Sequence, residues 1–177
     1  MGGCTDNIEV RLPSESENYL QRLEDLRDQV KNLVGKISAA DLDWQPFKSD
    51  DEQTSNSLAM LVAHSCGAEH FWIGEVIGGL PPSRNRDSEF ATKKTSQSEL
   101  FHLLHQTPIE SRAILSPLTP DQLEGYRVVE GRQVSVRWAV LHVIDHTALH
   151  LGHMQMTYQL LMGGEPFPAP LWSQRIP

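Results

Sequence analysis

Residues 136 to 162, "VRWAVLHVIDHTALHLGHMQMTYQLLM", carry apolar side chains nearly all the way round a helix. Trp138, Val140, Val143, Ile144, Leu149 and Met154 share no single face, so the segment has no wide polar side to give to water. A helix of this kind is either central to its fold or lies against another copy. Ser135 stands before it as an N-cap, and Gly163-Gly164 end it. An element that long, apolar on most sides, needs several partners, and the rest of the chain supplies helices.

In the first of these, Leu20, Leu23, Leu26, Val30, Leu33, Val34 and Ile37 recur at steps of three and four. Ser14 with Glu17 has the spacing of a capping box at its start. Pro46 and a run of small polar residues then break the periodicity into a long loop. Asn56 or Ser57 can cap a second helix that runs to Gly78-Gly79 and stops before Pro81-Pro82. "PPSRNRDSEFATKK" reads as a polar connection. Ser96 and Glu99 form another capping-box pattern, opening a third helix through Leu100, Leu104 and Leu115. Pro108 predicts a kink or a break there, because it removes a backbone donor. "YRVVEGRQVSV" can form a short hairpin. Four main helices in 177 residues predict an all-α four-helix bundle with long loops. One domain over 1–177 is expected, with its core over 14–165 and tails at 1–13 and 165–177.

The chain has 15 basic and 23 acidic residues, a net charge of −8, which argues against a nucleic-acid partner. No stretch of 18 uncharged apolar residues is present, so no membrane span is expected. The opening "MGGCTDNIEV" lacks the basic and apolar regions of a secretory signal, and the two cysteines, Cys4 and Cys66, suggest no disulfide framework. Both features predict a cytoplasmic protein.

Four of the eight histidines fall within "HVIDHTALHLGH", residues 142 to 153. Positions i and i+4 lie about 40° apart on a helix, so His146 and His150 project side by side and can close on one metal ion. A third ligand has to come from a facing helix, and His64, in the middle of the apolar second helix, is the candidate. The competing reading of His64 is a hydrogen-bonded core residue. His142 and His153, on neighbouring turns, can supply a fourth ligand or support the others by hydrogen bond. A polar lining or rim is the plainer reading for both. Asp145 points about 100° from His146 and is not expected to join. Glu69 and Glu75 do not share the angular position of His64, and no general base is evident beside the three histidines. Imidazole is a common ligand for zinc, nickel, copper and iron, and the identity of the divalent metal, whether zinc, nickel, iron or manganese, is left open.

"SLAMLVAHSCGAEHFWIGEVIGG" and "VRWAVLHVIDHTALHLGHMQMTYQLL" resemble the two signature segments of the DinB/YfiT-like superfamily, and "DLDWQPFKSD" echoes its first loop. The family pattern of one histidine in helix 2 and an HxxxH pair in helix 4 falls on His64, His146 and His150. The resemblance implies a bundle of up-down-down-up type and a divalent metal ion held by three histidines, with a position open to water or substrate. It also implies a metal-dependent enzyme that transfers a low-molecular-weight thiol to an electrophilic small molecule. A metal-dependent hydrolase, or a non-catalytic stress-related protein with a structural metal, are the alternatives. Relatives often pair, which implies a homodimer. Many relatives also carry Arg soon after the motif, where this chain has Tyr158 and Gln159. Arg84, Arg86, Lys93 and Lys94 could grip the carboxylates of a peptide-like thiol, although a solvated loop is the plainer reading.

Overall fold

The computed structural model describes residues 13–47, 55–93 and 95–175, apart from the side chain of Trp172. Four helices form its body: α1 (Glu15–Lys36), α2 (Leu58–Glu69), α4 (Gln97–Leu115) and α6 (Val136–Leu161). Shorter α3 (Arg86–Phe90) and α5 (Pro120–Leu123) lie in the connections, with a hairpin of β1 (Tyr126–Val129) and β2 (Arg132–Ser135) running into α6.

The starts of the helices are set by side chains that satisfy orphan backbone donors. Ser14, Ser57, Ser96 and Ser135 accept from the backbone N–H three residues on. Ser96 and Glu99 make both halves of the expected box. At α1 only the serine half forms, and Glu17 approaches Arg112 of α4 instead. Pro108 lies inside an uninterrupted α4. In the hairpin, Glu130 and Gly131 both have positive φ, 50° and 76°, the left-handed pair that a two-residue turn between twisted strands requires.

Cross-helix contacts give the directions. The start of α4 touches the end of α1, where Gln97 donates to the carbonyls of Val34 and Ile37, so these two run antiparallel. Arg137 at the start of α6 pairs with Glu15 at the start of α1, so these run parallel. Along the continuation of α2, Gly74 lies against Glu110 and Gly78 against Ile114, so the second helix and α4 advance together and run parallel. The order is therefore up-down-down-up.

Beyond Glu69 the second helix widens into a π-helix, His70–Ile77. Its i→i+5 bonding is visible where Gly78 N donates to the Ile73 carbonyl at 2.9 Å. The core divides into two apolar clusters. One holds Leu33, Leu58, Val62, Leu104 and Met154, and the other Leu23, Ile73, Leu115, Val136 and Val140. Between them lies a buried polar layer in which Glu69 accepts from Arg27 and Ser111. The connection after α2 contains α3, and the segment after α6 returns to α1, where Arg175 pairs with Asp25 at 2.8 Å. No helix among the described residues is long and apolar enough to cross a membrane.

Candidate metal centre

The seam between α2 and α6 brings three imidazoles together. His64 comes from α2, and His146 and His150 from successive turns of α6. His146 Nε2 lies 3.1 Å from His64 Nε2 and 3.2 Å from His150 Nε2. All three nitrogens fall within 4.8 Å of one another. Two nitrogens bound to one ion at about 2.0–2.1 Å each stand about 3.3 Å apart in a tetrahedron, so the observed spacing fits a shared cation. A ring nitrogen is either a donor or an acceptor at any moment, and three of them cannot each bond the other two. A cation at their focus takes up all three lone pairs. The residues present could therefore hold a metal ion.

The electrostatics suit that role. Burial, then the neighbouring His150 and His64, push the His146 pKa down to about 3. Burial, then His64 and His153, lower that of His150 to about 4. Both rings stay neutral at ordinary pH, with lone pairs available. His64 is buried, and its Nδ1 donates to Glu89 Oε2 at 2.9 Å. Glu89 is gripped by Arg84, whose Nε and Nη2 donate to its two oxygens at 2.7 and 2.9 Å.

His142 and His153 flank the three rings without joining them. His142 stacks on Trp138 with centroids 5.0 Å apart, and Trp72 packs edge-on against both. His153 reaches His150 from behind, Nδ1 to Nδ1 at 3.4 Å, away from the converging nitrogens. Phe90 packs against His64 at 4.6 Å. Glu69 belongs to the polar layer. Glu75 accepts from the backbone N–H groups of Ser83 and Arg84, which shapes the loop leading to α3. Cys66 is buried, and burial together with nearby Glu69 pushes its thiol up to about 12. Arg84 is no solvated loop residue: it serves Glu89. Arg86 covers the Phe90 ring, and Lys94 lies outside the described residues.

Glu89 is the participant that sequence reasoning misses. It lies 25 positions from His64 in a polar connection, with no periodicity to mark it. The one available signal is "NRDSE", an Asn cap followed by acidic residues, which announces a short helix without saying what that helix touches. Glu89 also lines a cavity of about 610 Å³ between α2, α3 and α4, together with Ala63, Gly67, Leu103 and Ile109.

Comparisons with known proteins agree with this architecture. The family model for mycothiol-S-transferase matches residues 19–163. The chain is similar to the uncharacterised protein YkkA of Bacillus subtilis strain 168, at 25% identity over 114 residues covering 58% of this chain and 65% of YkkA. It thus spans under two thirds of that curated relative's length. Among solved structures it is similar to the DinB-like protein YjoA of B. subtilis, with a TM-score of 0.62, 22% identity, and coverage of 88% of this chain and 96% of that one. It is also similar to B. subtilis YfiT, described as a probable metal-dependent hydrolase with an unusual four-helix bundle topology. There the TM-score is 0.65 and the identity 17%, with 88% of this chain and 95% of YfiT covered. With most of its length matched by the family model, this chain belongs to the mycothiol-S-transferase family, and it shares its fold with the DinB-like proteins.

Proposed function

We propose that His64, His146 and His150 bind one divalent metal ion through Nε2, and that the chain uses it to transfer a low-molecular-weight thiol to an electrophilic small molecule. The observation that carries this reading is the convergence of three neutral imidazole nitrogens from two helices. An ion held there supplies Lewis acidity that lowers the pKa of a coordinated thiol, making it nucleophilic near neutral pH. Membership of the mycothiol-S-transferase family supports thiol transfer over other uses of such a centre.

The chain's own residues support the rest. The clustered nitrogens belong to His64, His146 and His150, with neither His142 nor His153 joining them, and three protein ligands rather than four favour a working centre over a structural one. Cys66, the free cysteine among the described residues, has a buried thiol pushed up to about 12 and is unsuited to be the nucleophile, which favours a sulfur that arrives on a small molecule. Trp72, Trp138 and His142 form an aromatic wall against His146 and offer the electrophile an apolar surface beside the centre. The half-exposed outer face of α6, with Leu149, Met156 and Leu160, suits a second copy of the chain.

The test is conjugation of a fluorogenic electrophile to mycothiol, bacillithiol or glutathione, using protein purified without a metal-affinity tag and loaded in turn with zinc, nickel, iron or manganese. Conjugation that needs both thiol and metal, and that is lost in His150→Ala while helix content is kept, is the expected result. Conjugation indifferent to chelation or to that substitution contradicts it. Turnover without any thiol would replace it with the hydrolase reading.

A further inference from the structure

Of the three converging rings, His64 has its far nitrogen held by a carboxylate. Its Nδ1 donates to Glu89 Oε2, and the side chains of both residues are under a tenth exposed. His146 Nδ1, by contrast, is buried and has no hydrogen-bond partner among the described residues. A carboxylate can only accept, so the His64 proton sits on Nδ1 and the Nε2 lone pair faces His146 and His150. Glu89 is itself fixed by the two-pronged grip of Arg84, a geometry that holds a carboxylate in plane as well as in place.

The approach of Glu89 depends on Gly67, three residues after His64 in α2. A methyl group at Gly67 would lie 2.6 Å from Glu89 Cδ and closer still to Oε1. Glycine is a poor residue for the inside of a helix. Here it leaves a gap on the helix surface into which the carboxylate fits.

We propose that Glu89 is a positioning residue of the metal centre: clamped by Arg84 and admitted by Gly67, it fixes the tautomer and the angle of the His64 ring and so raises the affinity of the site for its ion. The inference rests on the reading of the three histidines as ligands. It assigns α3, which donates no ligand, a share in metal binding. It also makes Glu89 the side chain common to the histidine centre and the 610 Å³ cavity, since it touches the one and lines the other.

The experiment uses the full chain as wild type, Glu89→Gln and Gly67→Ala. The first keeps the shape and removes the charge. The second keeps the charge and displaces it without altering any of the three histidines. Zn²⁺ and Co²⁺ affinities are measured by competition with a chromophoric chelator, with Co²⁺ absorption reporting ligand geometry and thermal unfolding reporting the metal-free fold. Both variants are expected to lose about 10- to 100-fold in affinity and to shift the Co²⁺ bands. Metal-free Gly67→Ala is expected to melt close to wild type, because the helix preference of alanine offsets the loss of the contact between Glu89 and His64. Weaker binding without weaker folding separates positioning from mere support. Wild-type affinity in either variant overturns the proposal, and if Glu89→Gln does not fold, Gly67→Ala decides alone. A wild-type chain that binds neither ion, or a His150→Ala chain that binds as wild type does, overturns the ligand reading itself.

Discussion

At the scale of single residues, the centre depends on imidazoles that are kept unprotonated. His146 and His150 have folded-state pKa values lowered to about 3 and about 4 from the ordinary 6.5, so the unfolded chain binds protons that the folded chain refuses. Stability of the metal-free protein is therefore full above about pH 6.5 and falls as the pH drops toward the folded-state values. The urea midpoint of metal-free protein is expected to fall between about pH 7.5 and about pH 5, and His146→Gln is expected to flatten that slope. A midpoint independent of pH over this range, or one that rises on acidification, contradicts the account. The HxxxH pair was legible from sequence because helical periodicity alone places His146 beside His150. His64 was legible because a histidine amid Leu61, Val62 and Ala63 needs a partner. Glu89 was not, because its contact runs through a connection whose path is set by Glu75 holding the backbone at Ser83 and Arg84.

At the scale of elements, helix starts follow from short-range chemistry and were readable: Ser57, Ser96 and Ser135 cap where the sequence suggests. The π-helix His70–Ile77 was not readable, because its cause is tertiary. A Cβ at Gly74 would lie 2.5 Å from Glu110 Oε1, and one at Gly78 would lie 2.7 Å from Ile114 Cδ1, so this stretch is pressed closely against α4. Just before it, Glu69 joins Arg27 of α1 and Ser111 of α4 in the layer that separates the two apolar clusters. Burial raises the Glu69 pKa even against the Arg27 charge, so the pair is retained at a desolvation cost. Removing one partner leaves the other buried and uncompensated. Glu69→Ala is expected to destabilise the chain by about 3–5 kcal/mol in urea unfolding. A loss below about 1 kcal/mol would show that water or rearrangement replaces the carboxylate at little cost.

At the scale of the whole molecule, the count of helices and their mutual burial were legible from apolar spacing, whereas their directions rest on contacts such as Arg137 with Glu15 and Gln97 with Val34. The apolar girth of α6 is explained in part by its packing on α1 and on α2 with its π-helical extension. A half-exposed strip through Leu149, Met156 and Leu160 is left over. If that strip pairs two copies, wild-type protein sediments as a dimer and the double substitution Leu149→Glu with Met156→Glu as a folded monomer. A wild-type monomer at all concentrations contradicts the pairing. The central claim concerns the focus of three nitrogens, and anomalous diffraction at the absorption edge of the bound metal tests it most directly. The account predicts one peak at about 2.0–2.1 Å from Nε2 of His64, His146 and His150. A peak held instead by His142 or His153, or none between α2 and α6 in metal-loaded protein, would contradict it.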